Sequence, residues 1–583
     1  MKKITFLTLM SLAFGLQAQQ LPPVFGDEYA GKSFGDSRVR VYLAPQRIVW
    51  QHDGNGQLIQ NAEKLLEKGN GQSDLSGRAI AKMRSTDAEY AGILLDFGKE
   101  LQGGLQIVTD ATGGGAKIRV RLGESVSEAM STVGAQGATN DHAMRDFTMT
   151  LPFLGVAEVG NSGFRFARID LVEPNVTLGL KEVNAIFTYR DIPYLGSFRC
   201  NDERLNRIWL TGAYTVHLNM QEYIWDGIKR DRLVWLGDLH PEVMTVSTVF
   251  GYNEVIPKSL DLARDITPLP GWMNGMCSYS LWWIIIHRDW YKYQGSLPYL
   301  KEQQRYLTDL LNLLLTKVDA TGKEKLEGGR FLDWPSSPNA AGVDAGLQAL
   351  MVLALQAGAE MSDVLGNASL AKKCTATAAL MKKQLPDHNH LKQAAALLAL
   401  ADMMPAKTAD QATISVGGAK NFSTFYGYYM LQAQAKAGNY QGAIDNIREF
   451  WGGMLDMGAT TFWEDFDIGW LENAAGIDEL VPEGKKDIHA DFGDYCYKNL
   501  RHSLCHGWAS GPTAWLSEHV LGVKVLEPGC RVLSIEPHLG SLEWVEGTFP
   551  TPMGLVHISH KKGPDGKVKT TVEAPKGVKA NVI

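Results

Sequence analysis

The chain has 583 residues, too many for one ordinary domain, with 45% apolar and 21% charged residues, the balance of a globular protein. Its formal net charge of −7 is small for that length, and no Lys/Arg run appears. Nucleic acid and anionic membranes are therefore poor partner candidates.

In chain order, Lys2 and Lys3 precede an apolar stretch over residues 4–16, followed by Q-A-Q-Q. That is the charged, apolar and small-residue order of a secretory signal, with cleavage expected after Ala18. The stretch is too short to read as a membrane span, and no cysteine near the cut could carry a lipid anchor. The expectation is an exported protein without a membrane anchor, periplasmic or secreted. Its six cysteines (Cys200, Cys277, Cys374, Cys496, Cys505 and Cys530) show no C-x-x-C spacing, so no zinc site is expected. Disulfides are permitted outside the cytoplasm, and Cys496 and Cys505 are close in sequence. Free buried thiols remain the preferred state in a chain this large.

Residues 25–192 carry short apolar or alternating runs such as A-G-I-L-L-D-F-G, G-G-L-Q-I-V-T, A-K-I-R-V-R-L-G and G-F-R-F-A-R-I-D-L-V, separated by Gly, Asp and Asn. They predict antiparallel strands of an N-terminal β-sandwich. The period changes near Gly196. Leu205, Trp209, Ala213, Val216 and Met220 lie on one helical face, with Asn201 a candidate N-cap. Some ten to twelve helical patterns follow, broken by Gly or Pro, which predicts hairpins closed into a ring, an (α/α)6 barrel over residues 196–525. Strand signals return in C-R-V-L-S-I-E-P and G-L-V-H-I-S-H, predicting a small C-terminal β-domain over residues 526–583.

Within the helical region, polar and aromatic residues interrupt the periodicity at a few places. The stretch D-G-I-K-R-D-R-L-V-W-L-G-D-L, residues 226–239, packs three carboxylates and three strong cations around Trp235. G-G-R-F-L-D-W-P-S-S-P-N places Asp333 beside Trp334, and M-G-A-T-T-F-W-E-D-F-D places Trp463 beside Glu464. S-L-C-H-G-W is a fourth, weaker stretch, with His506 and Trp508. Carboxylates accept hydrogen bonds from sugar hydroxyls, and an indole face covers the C–H side of a pyranose. Glycoside hydrolysis also needs two carboxyl groups in opposite protonation states, which the loops at Asp231 and Glu464 could supply. Each Asp–Trp or Trp–Glu pair taken alone reads more readily as surface or ordinary packing, and the charges of 226–232 read equally as exposed ion pairs. Glu222, Glu242 and Asp289 read as solvated or capping residues. The glycines of A-T-G-G-G-A-K-I precede another strand, which argues against a phosphate loop.

These stretches together resemble the inverting α-L-rhamnosidases of glycoside hydrolase family 78. That family carries D-C-P-x-R-D-E-R-x-G-W-x-G-D where this chain has D-G-I-K-R-D-R-L-V-W-L-G-D, one residue shorter before the tryptophan. Its G-A-T-T-x-W-E is matched by G-A-T-T-F-W-E, its S-L-N-H by S-L-C-H, and a D-W turn lies between. Counting back from Trp235, the resemblance makes Asp231 the general acid, in place of the family glutamate. Glu464 becomes the general base. By the same resemblance Asp226, Trp235, Asp238, Trp334 and His506 line a rhamnose pocket, with Arg230 or Lys229 standing for the family arginine. Asp333 and Trp463 join them as candidate substrate contacts. The implied activity is exo-acting removal of terminal α-L-rhamnose from glycans or glycosides by single displacement, needing no metal or other cofactor. Two alternatives stay open: a related (α/α)6-barrel glycosidase for another sugar, and a non-catalytic glycan-binding protein.

Overall fold

A computed structural model describes residues 36–75, 79–111 and 115–583. The signal expectation at residues 1–18 lies outside them. The N-terminal part is a nine-stranded sheet, paired antiparallel throughout. Three long strands, Gly92–Thr109, Val156–Leu171 and Thr177–Arg190, form its middle. The runs A-G-I-L-L-D-F-G and G-G-L-Q-I-V-T, read as separate strands, belong to one. Its register against Val156–Leu171 slips between Asp96 and Leu101, which lets a single strand bend instead of ending. Leu95, Leu105, Ile107, Val120, Phe164 and Ile169 fill the core of this part.

Twelve α-helical segments follow between Glu203 and Trp515. Their starts show why helices form here. Asp202 caps Glu203–Asn219 by accepting the N–H groups of Arg204 and Leu205. Ser296 caps Leu297–Thr316, which has a proline in its first turn, and Asn339, Asn367 and Asn439 cap three more helices. Such a cap contributes about 1 kcal/mol. The expected cap Asn201 is one residue early. Its amide oxygen instead accepts the backbone N–H of Glu543 and Trp544 from the C-terminal sheet. Helix Ala340–Val364 is long and apolar enough to cross a membrane, but most of it is buried, as befits a core helix.

At the C-terminal end, strands Trp544–Thr551, Gly554–Lys562 and Val568–Glu573 form a sheet whose edge is Ser197–Cys200, the segment that enters the first barrel helix. A second sheet pairs Val523–Val525 with Val532–Ile535 and, in parallel, Lys579–Val582. Barrel and C-terminal sheets share one continuous apolar core, from Phe198 through Trp283 and Trp451 to Ile558. The six cysteines are free, five buried and Cys496 half-buried. Glu242 and Asp289, expected as solvated or capping residues, are both buried. Asp289 is held by Arg288 and by His240 Nε2 at 3.0 Å.

Candidate active site

The charge-rich loop of residues 226–239 folds around its own carboxylate. Asp226 Oδ2 accepts the N–H of Asp231 and Oδ1 that of Leu233, both at 2.9 Å. Its backbone oxygen accepts from Asn219 Nδ2 and from the N–H of Gly507. Burial, with Asp238 and Asp231 nearby, pushes the Asp226 carboxyl up to about 7 against the pull of His506. Each of its oxygens accepts one backbone N–H, so Asp226 shapes the loop that carries Asp231.

Two adjacent cations of this loop point in opposite directions. Lys229 is buried toward the N-terminal sheet, 3.0 Å from Glu124 Oε2 and 3.3 Å from Glu128 Oε1, and donates to the backbone oxygens of His502 and Leu500. Arg230 turns to the barrel side, where Nη2 lies 3.0 Å from Asp231 Oδ1 and the guanidinium sits 5.0 Å above the Tyr497 ring. Asp231 and Glu464 both act electrostatically on Arg230. Arg230, not Lys229, is therefore the cation placed among the candidate site groups. Its Nη1 is buried with no hydrogen-bond partner among the described residues.

Asp231 also meets a residue from the N-terminal part that the sequence did not single out. His142 Nε2 is 3.0 Å from Asp231 Oδ1. Glu464 is buried beneath the site. Its Oε2 accepts the N–H of Ser503, and its backbone oxygen accepts from Thr424 Oγ1 and Trp508 Nε1. His506 joins it to the first loop, with Nε2 at 2.9 Å from Asp238 Oδ2 and Nδ1 at 3.7 Å from Glu464 Oε1. Burial pulls the imidazole down, but Glu464, Asp238 and Asp226 outweigh it and raise it to about 9. His506 is then an imidazolium at neutral pH.

A narrow slot brings Glu464 together with Asp333, Trp334, Ser423, Asp465 and Tyr497. Trp334 Nε1 donates to Tyr497 Oη at 2.7 Å, fixing one wall. Asp333 accepts from Ser423 Oγ and Gln393 Nε2, and burial still raises its carboxyl. Trp235 packs edge-on against Tyr279 at the loop's far end. Trp463, expected to touch substrate, is 1% exposed and buries its ring edge-on against Phe466 and His502. It anchors the Glu464 loop in the core. Asp465, Tyr497 and Ser423 were not picked out as site residues. Asp465 follows Glu464 directly in the chain, and burial raises its carboxyl to about 7. Glu242 is buried nearby, and burial, with Asp238 and Asp226, raises its carboxyl far above the ordinary carboxylate range against a hydrogen bond from Asn219. Among the described residues no three His, Cys, Asp or Glu side chains form a metal-binding group.

An antiparallel sheet, a ring of helical hairpins and a terminal sheet, with carboxylates and indoles gathered on the barrel loops, define a six-hairpin glycosidase-type protein. The model for the bacterial α-L-rhamnosidase six-hairpin glycosidase domain matches residues 193–520, and that for the bacterial α-L-rhamnosidase C-terminal domain matches residues 522–583. The chain belongs to this bacterial α-L-rhamnosidase family. Its fold is similar to that of a family 78 rhamnosidase of Bacillus sp. GL1, with TM-score 0.73 and 22% identity, covering 89% of this chain and 55% of that one. A rhamnosidase from Klebsiella oxytoca with rhamnose bound gives TM-score 0.63 and 20% identity over 82% of this chain and 95% of the other. An α-L-rhamnosidase from Alteromonas sp. (strain LOR) is 28% identical over 134 residues, 23% of this chain and 12% of that relative. The chain thus spans about half the length of the Bacillus protein and a small part of the Alteromonas one.

Proposed function

We propose that this protein is an exo-acting α-L-rhamnosidase that inverts the anomeric carbon, with Asp231 as general acid and Glu464 as general base. Family membership supports the substrate class, and the N-terminal order of charged, apolar and small residues supports export. The observation that carries the mechanism is the arrangement around Arg230, whose guanidinium is hydrogen-bonded to Asp231, lies within the field of Glu464 and keeps one buried N–H free. In the reaction, Asp231 protonates the glycosidic oxygen as the C1–O bond breaks. Glu464 takes a proton from the water that attacks C1 from the opposite face. The His506 imidazolium holds a positive charge 3.7 Å from the base, and Arg230 Nη1 is a donor for a ring hydroxyl. The acid loop is one residue shorter than the family pattern and its acid one methylene shorter. The two Asp226 hydrogen bonds, which pull residues 231 and 233 onto one carboxylate, support Asp231 as the group in the acid's place.

The test is hydrolysis of an aryl α-L-rhamnoside by the wild type, Asp231→Asn and Glu464→Gln. Turnover by the wild type and loss on the order of 10²–10⁴-fold in each variant is expected. Full activity in either variant removes that residue from its role. Cleavage of another glycoside alone favours a different sugar specificity, and rhamnoside binding without turnover favours a glycan-binding protein.

A further inference from the structure

A second cavity lies between the N-terminal part and the acid loop. It has a volume of about 480 Å³ and is bordered by Asn140, Asp141, His142, Met144, Asn161 and Arg232. That volume falls in the range of small-molecule sites. We infer that this groove is the leaving-group subsite and that it takes a sugar residue of the glycan from which rhamnose is cut.

The inference rests on Asp231 being the proton donor. A general acid must stand within hydrogen-bond reach of the oxygen it protonates. The ring that departs with that oxygen therefore lies against the acid, away from the base. Glu464 lines the slot, and Arg230, hydrogen-bonded to Asp231, feels both carboxylates. The groove meets Asp231 through His142, whose Nε2 touches the carboxylate at 3.0 Å while its ring also borders the cavity.

The lining is built rather than loose. Arg232 donates through Nη1 to the backbone oxygen of Asn161 and through Nη2 to its side chain, and its guanidinium lies 4.5 Å over the Trp225 ring. Arg501 holds Asp141 through two hydrogen bonds, and His142 is 3.6 Å from that same carboxylate. The groove thus offers fixed donors and acceptors at its edges and the exposed thioether of Met144 as an apolar patch. Directed hydrogen-bond donors and acceptors beside a small apolar patch suit a hydroxylated pyranose.

The experiment compares kcat/KM of the wild type and of Met144→Trp and Arg232→Gln on three substrates. These are an α-L-rhamnosyl-hexose disaccharide, a nitrophenyl α-L-rhamnoside and α-L-rhamnosyl fluoride. Fluoride is a one-atom leaving group that reaches no further than Asp231 and reports the glycone site and folding. Expected is a loss of about tenfold or more on the disaccharide in both variants, with the fluoride within about twofold of wild type. Unchanged disaccharide rates, or equal losses on disaccharide and fluoride, would overturn the subsite. A loss confined to the nitrophenyl rhamnoside would overturn the sugar and leave a phenolic leaving group. Wild type that cleaves none of the three fails as a rhamnosidase, a result distinct from any of these, and the inference falls with it.

Discussion

His506 and Asp238, 268 residues apart, meet at 2.9 Å, and the other face of the same imidazole looks at Glu464. The raised imidazole, about 9 against an ordinary value near 6.5, has a signed consequence for stability. The folded state binds this proton more tightly than the unfolded chain, so the contribution is fully present below about pH 6.5 and is lost as pH rises through about 9. Its size is on the order of 3 kcal/mol. Thermal unfolding of the wild type should weaken across that window. His506→Gln should flatten the window, and an unchanged pH dependence in that variant would refute the assignment.

The stereochemical outcome follows from one displacement. ¹H NMR of fresh hydrolysate from an α-L-rhamnoside should show β-L-rhamnose first, with the α-anomer growing later by mutarotation. The α-anomer as first product would require a covalent intermediate and a nucleophile in place of Glu464 as base.

Lys229 ties the acid loop to the N-terminal sheet through two buried carboxylates, Glu124 and Glu128. Burial and Glu128 raise Glu124 to about 7 against the pull of Lys229. Lys229→Met leaves these carboxylates without their cation and should destabilise the protein by about 3–5 kcal/mol in chemical denaturation. Adding Glu124→Gln and Glu128→Gln to Lys229→Met should recover part of that loss. A single variant as stable as wild type would show that the ion pair does not join the two parts.

Gly507 lies against the buried Glu242 carboxyl so closely that an added Cβ would fall 1.6 Å from Oε1. Gly507→Ala should cost at least about 1–3 kcal/mol by overpacking. Combined with Glu242→Ala, it should cost less than the two single changes summed, since the clash disappears. Additive losses in that double-mutant cycle would place the strain elsewhere.

Much of this protein is legible along the chain because the signals are local. The face carrying Leu205, Trp209, Ala213, Val216 and Met220 is buried as its spacing predicts, and the three loop stretches that break the helical period include Asp231, Asp333 and Glu464. Local pattern could not tell which of two adjacent cations faces the site. Lys229 and Arg230 diverge only because Glu124 and Glu128 wait on the sheet side and Asp231, Tyr497 and Glu464 on the barrel side. It also could not reveal His142, 89 positions before the carboxylate it touches, or that the Asp226 carboxyl accepts two N–H groups of its own loop and Trp463 packs against Phe466. Periodicity, caps and motif spacing are properties of neighbouring residues, so the amino-acid order alone determines the elements and the family. Partner choice among buried charges depends on which desolvated groups the long-range packing brings within a few ångströms, and only the tertiary structure decides that.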